Sequence, residues 1–230
     1  MSNSIGMSKK KILFMIGLLG MNGATKSLIA LLNAIADDYD ISLFLFNHDT
    51  PFLAAIPRNV SILPESPYYK IWCTPLRQAI KQTLRKFRFD LLIFRLRVAW
   101  QRYRKKPFAL WDKMPEITGE WDDVCVYCDG IVAEFAIRKV PKGKKALWIH
   151  CDYTQFKQSK QIFEAFKKAD VAVSVSLDSI EKFKIACGES ISTPFAVVHN
   201  IIDIDDVRRR AKAYSVPPPM GGGGKNSFSG

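Results

Sequence analysis

Short apolar runs alternate with helical patterns along most of the chain. The runs fall at residues 12–16, 41–46, 60–63, 124–127, 146–149, 171–175 and 195–198, the third being the weakest. Helical spacing of apolar positions marks residues 25–36, 156–168, 178–187 and 205–214. Short apolar strands separated by helices predict an α/β fold, a doubly wound, mostly parallel Rossmann-like sheet with helices on both faces. No internal repeat is visible.

Both ends of the chain need separate treatment. The opening KKKILFMIGLLGMNGA resembles a signal peptide, but its apolar run, residues 12–19, is too short to span a bilayer. A helical pattern and a second strand follow at once, so the run is read as the first strand of a folded domain. At the other end PPPMGGGGKNSFSG cannot build a core element. The expected division is a Rossmann-like domain over residues 9–214 and a Pro/Gly-rich linker or tail over 215–230.

Charge changes the picture in the middle of the chain. Of the net +12, +10 lies between Arg77 and Lys106, where eleven basic residues face one acid, Asp90. Between Pro75 and Pro107 no proline or glycine interrupts, which predicts one helix of about 46 Å. Ile80, Leu84, Phe87, Leu91, Phe94 and Val98 form its apolar stripe, and Leu92, Leu96 and Trp100 widen it. Such a helix suits an anionic membrane surface, with Arg85, Lys86, Arg95 and Arg97 on the headgroups and Trp100 at the interface. An ordinary surface helix packed on the sheet is the other reading. Nucleic acid is disfavoured, because the basic residues interleave with an aliphatic stripe rather than stacking rings.

The candidate chemistry sits just after strands. After the first comes Gly17-Leu-Leu-Gly20-Met-Asn22-Gly23-Ala24, a G-x-x-G-x-x-G turn that is neither a dinucleotide fingerprint nor a P-loop. It is either a tight strand-to-helix turn or a phosphate cradle at a helix start. His150, Cys151, Asp152 and Tyr153 follow the run at 146–149, where ligands bind in open α/β sheets. His48, His150 and His199 lack metal-pair spacing, so no metal site is expected. The five cysteines are odd in number and fit reduced thiols in the cytoplasm. Cys125 and Cys128 form a CxxC read as part of a buried strand.

Five stretches in order, KKILFMIGLLGMNGATKSLIALLNAI, WDDVCVYCDG, KKALWIHCDYTQF, ADVAVSVSLDSIEKF and VVHNIIDIDDV, resemble the amino-terminal half of a family 4 glycosyltransferase of GT-B architecture. The resemblance implies a retaining enzyme without an obligatory metal or bound cofactor, its nucleotide-sugar donor being a substrate gripped by a carboxyl-terminal domain. By the same resemblance, these 230 residues would correspond to the acceptor-side half, with the donor-binding half absent. Gly20, Asn22, Gly23 and Ala24 would meet acceptor or donor phosphate, with Asp152 and Tyr153 nearby. His150 would be catalytic, facing the reacting sugar, while Asn200 and Asp203 lead toward the linker. The chain departs from the family loop in having Thr25, not glutamate, before Lys26. The implied partner is a glycan or lipid-linked acceptor, a cell-surface precursor, met at the inner face of the membrane. A non-catalytic nucleotide- or glycan-binding remnant is the alternative.

Overall fold

In the computed structural model every run read as a strand enters one sheet. Described are residues 8–104, 106, 110–128, 130–155, 160–188, 191–202 and 204–213. The strands are β1 (Lys11–Ile16), β2 (Asp40–Leu45), β3 (Ser61–Ile62), β4 (Asp123–Val126), β5 (Lys144–Ile149), β6 (Val171–Ser174) and β7 (Phe195–Val197). They pair in parallel throughout, in the order β3-β2-β1-β4-β5-β6-β7.

Alternation along the strands feeds two cores. Ile12, Phe14 and Ile16 point with Ile41, Leu43 and Leu45 to one face, covered by Leu28 and Leu32 of α1 (Gly23–Ile35). Leu13, Met15, Phe44, Val124, Val126 and Leu147 point to the other. That face carries α2 (Pro67–Cys73), α4 (Phe89–Tyr103), α5 (Ile131–Lys139) and α6 (Lys160–Lys167), with Phe183 of α7 (Leu177–Cys187). The α/β reading therefore holds, helices on both faces included. The chain continues through α8 (Ile204–Ala213). The linker expected at 215–230 and the carried-over Asp203 lie outside the described residues.

The single long basic helix is corrected. The segment forms α3 (Leu76–Arg85) and α4, separated by a sharp turn at Phe87, whose φ is 52°. Phe87 N donates to the Leu84 carbonyl and Arg88 N to the Thr83 carbonyl, the paired bonds of a Schellman cap. Glycine usually takes the left-handed position. A phenylalanine there costs about 1–2 kcal/mol, and no sequence signal announces it.

The predicted stripe divides accordingly. Leu91, Phe94 and Val98 enter the core, whereas Leu84 and Phe87 are exposed. Arg95, expected on the membrane surface, is also corrected, being only 4% exposed. Its Nε donates to the Thr74 carbonyl at 3.0 Å, and its Nη1 is buried without a hydrogen-bond partner among the described residues. Burial, and secondarily the charge of Arg102, pulls its pKa down. A guanidinium held there cannot reach a headgroup. Arg85, Lys86, Arg97 and Trp100 do lie at the surface.

Candidate functional site

The sheet reverses its winding between β1 and β4, and the carboxyl ends of the strands around such a reversal are where open α/β sheets bind ligands. Four connections reach it: the loop after β1, Tyr127 after β4, His150 after β5, and His199–Asn200 after β7.

The glycine loop is held by its own polar groups. Asn22 caps α1, accepting from Thr25 N at 2.8 Å, and Gly20 N donates to Thr25 Oγ1 at 3.0 Å. The Thr50 hydroxyl donates to the Leu19 carbonyl at 2.6 Å and ties the loop to the segment after β2. Thr25, where the sequence departs from the family loop, is thus fully buried and structural. Gly20 cannot accept a larger residue without displacing Asn22, whose Nδ2 lies 3.2 Å from where a Cβ would stand. Gly23 has open space around it, and α1 carries no acidic residue in its first turn. With Thr25 N taken by Asn22, the amides of Gly23 and Ala24 are the part of the helix's positive end an anion would meet.

Behind this loop runs a hydroxyl relay absent from the sequence reading. Ser27 Oγ donates to Asn200 Oδ1 at 3.0 Å and lies 2.8 Å from Tyr127 Oη. A serine has one proton to give, so the Tyr127 hydroxyl donates to Ser27. Tyr127 and Ser27 are buried, and burial raises the Tyr127 pKa against the opposing bond from Ser27. The ring of Tyr127 lies 4.8 Å from that of His150 and 4.9 Å from that of Trp148. His150 is half-buried at the carboxyl end of β5. His199 Nδ1 lies 3.0 Å from the Val175 carbonyl.

The remaining candidates stand apart from this cluster in what they do. Tyr153 is 1% exposed, packed against Phe183 at 4.8 Å and Phe163 at 6.0 Å between α6 and α7. It belongs to the core and offers no ligand surface. Asp152 Oδ1 accepts from Thr154 N and Oγ1, and its Oδ2 pairs with Lys182 at 3.2 Å. These bonds, the Thr154 hydroxyl first, hold its pKa down at about 2. The folded value lies below the ordinary 3.8, so the stabilisation is complete above that pH and is lost as pH falls toward about 2. Asp152→Asn is expected to be less stable than wild type at pH 6, with the gap holding to about pH 4 and shrinking from there to pH 2 in urea titrations. A gap that stays constant over that range would show the carboxylate to be uninvolved.

Burial raises the Cys125 thiol to about 12, which keeps it protonated. Cys128 lies just past the end of β4. Among the described residues no group of three His, Cys, Asp or Glu side chains comes together as a metal set, and no helix is long and apolar enough to cross a membrane.

The fold is that of a Rossmann-like α/β domain, with the candidate residues gathered at the reversal of strand order. No protein-family model and no curated protein sequence matches the chain. Among solved structures it is similar to Anabaena HepE in complex with UDP and glucose, at 16% identity and a TM-score of 0.47, over 88% of this chain and 50% of that one. It is also similar to Phytolacca americana UGT2 complexed with UDP-2-fluoro-glucose and pterostilbene, at 12% identity and a TM-score of 0.43, over 91% and 58%. TcCGT1 in complex with UDP is a third, at 10% identity and a TM-score of 0.42, over 89% and 55%. The chain spans about half the length of these proteins.

Proposed function

We propose that the chain is the acceptor-side half of a retaining GT-B glycosyltransferase of family 4, moving a sugar from a nucleotide-sugar to a lipid-linked or cell-surface glycan precursor at the inner face of the membrane. One observation carries the reading: the glycine loop, the Tyr127–Ser27–Asn200 relay and His150 converge at the carboxyl ends of β1, β4, β5 and β7. The five ordered stretches that resemble the family supply these same elements.

In this scheme the loop positions the acceptor or the donor phosphate through the backbone of Gly20–Ala24. His150, held at the end of β5 with its ring against Tyr127, meets the reacting sugar from the acceptor side. The bond between the anomeric carbon and the nucleotide phosphate breaks, the nucleoside diphosphate leaves, and the acceptor oxygen bonds to the same face, a hydroxyl acceptor giving its proton to the departing phosphate. Donor phosphates would be held from the opposite domain, so this half supplies one wall of the cleft.

With radiolabelled UDP-glucose and a lipid phosphate acceptor, the 230-residue chain alone is expected to transfer no sugar. The same chain joined to a donor-binding domain is expected to transfer it. Turnover by the 230-residue chain alone overturns this division of roles.

A further inference from the structure

Helix α4 is apolar on two opposite sides. Leu91, Phe94 and Val98 face the core, as described above. Phe89, Ile93, Leu96, Trp100 and Tyr103 recur at spacings of 4, 3, 4 and 3 residues and are all exposed. This second stripe has no cover among the described residues. Large exposed apolar side chains usually occur singly on a soluble surface, and a continuous row of them marks an interaction site.

The row continues over the turn into α3. Phe87 is 78% exposed at the strained left-handed position, and Leu84 beside it is exposed as well. A bulky apolar residue at an exposed position that favours glycine gains nothing from packing, so the hairpin displays that ring at a cost to stability. Basic side chains surround the row: Arg77, Lys81, Arg85, Lys86, Arg97 and Arg104 are exposed and make no salt bridge among the described residues. The one acid of the segment, Asp90, is neutralised by Arg88 at 2.7 Å.

We propose that the α3–α4 hairpin docks on an anionic lipid bilayer. Phe87, Phe89, Ile93 and Trp100 enter the interfacial layer, and Lys81, Arg85, Lys86 and Arg97 meet headgroup phosphates. A lipid surface suits this pattern better than a protein groove. It takes aromatic and aliphatic rings without requiring shape complementarity, and its negative potential answers the local excess of charge. Of the stripe the sequence pattern traced, Leu91, Phe94 and Val98 enter the core, whereas Leu84, Phe87, Leu96 and Trp100 belong to this exposed row. This inference concerns a surface other than the candidate site and stands whether or not the chain serves sugar transfer.

The test is sedimentation of the whole 230-residue chain with vesicles of phosphatidylcholine alone or with phosphatidylglycerol added, at low and high salt. Binding only to the anionic vesicles, weakened by salt, is expected. Trp100 is the sole exposed residue of the five tryptophans, so a blue shift of emission on binding reports its entry. Two variants separate the contributions: Phe87→Ser with Phe89→Ser and Ile93→Ser, and Arg85→Glu with Lys86→Glu and Arg97→Glu. Each is expected to weaken binding by about 100-fold or more with an unchanged circular dichroism spectrum. Equal binding to both vesicle types, no binding, or a second copy covering the stripe in solution would each overturn the proposal. Binding of RNA with the same loss in both variants, and no vesicle binding, would reassign the surface.

Discussion

Phe135→Ala is expected to cost the fold about 3–5 kcal/mol, read as a lowered midpoint in urea or guanidinium unfolding. Phe135 is fully buried on α5 and touches four rings: Phe44 at 5.8 Å, Phe46 at 4.9 Å, Tyr69 at 5.2 Å and Trp111 at 5.3 Å. These come from β2 and the segment just past it, from α2, and from the short 3-10 turn Trp111–Lys113. One side chain therefore joins parts of the chain that are far apart in sequence. Truncating it removes transfer energy and edge-to-face ring contacts together, and rigid rings collapse poorly into the space left behind. Against a total of about 5–15 kcal/mol for a domain, the loss would leave little margin. A change below about 1 kcal/mol would show that the cluster relaxes and that the centre of the core lies elsewhere.

In a protein carrying both halves, His150→Ala is expected to lower sugar transfer by about 100- to 1000-fold, the usual effect of deleting a group that acts only on the transition state. Donor affinity, measured by calorimetry, should hardly change if, as proposed, the donor is gripped from the other domain. Folding should survive as well, since His150 is half-buried rather than central to either core. An unchanged rate would reduce His150 to a ring that packs on Tyr127. Lost donor affinity without lost turnover would place it in binding instead.

The sheet was legible because its strands are buried on both faces and read as continuous apolar runs. Polar ends were missed, where Lys11, Asp40, Asp123 and the pair Lys144 and Lys145 begin strands at the amino-terminal edge, Asp123 pairing with Lys10. Two helices left no trace. Residues Val132–Ala136 of α5 are all buried, Glu134 included, so Glu134, Arg138 and Lys139 mark only a narrow polar side in a nine-residue helix and the helical period does not stand out. The short α2 is rich in aromatic residues, which favour no state strongly. The break at Phe87 was equally silent, because the residue there is one that seldom takes a left-handed turn. In the site, the loop and His150 were marked by their place after strands. Tyr127 offered the same signal, following β4 beside the reversal, and it went unread. Ser27 offered none: its meeting with Tyr127 spans 100 residues and with Asn200 spans 173.

The strand order also sets a clock on synthesis. β1 lies at the middle of the sheet, and Ile12 pairs with Asp123 on the side away from β2. At about 5–20 residues per second, a ribosome needs roughly 6–22 seconds to make the intervening stretch. Throughout that interval β1 can pair with β2 but presents its other edge, backed by Leu13, Phe14 and Met15, to whatever is near. The nascent chain is therefore most exposed to misassociation before residue 126 has emerged, and nothing added after β4 can shorten that window.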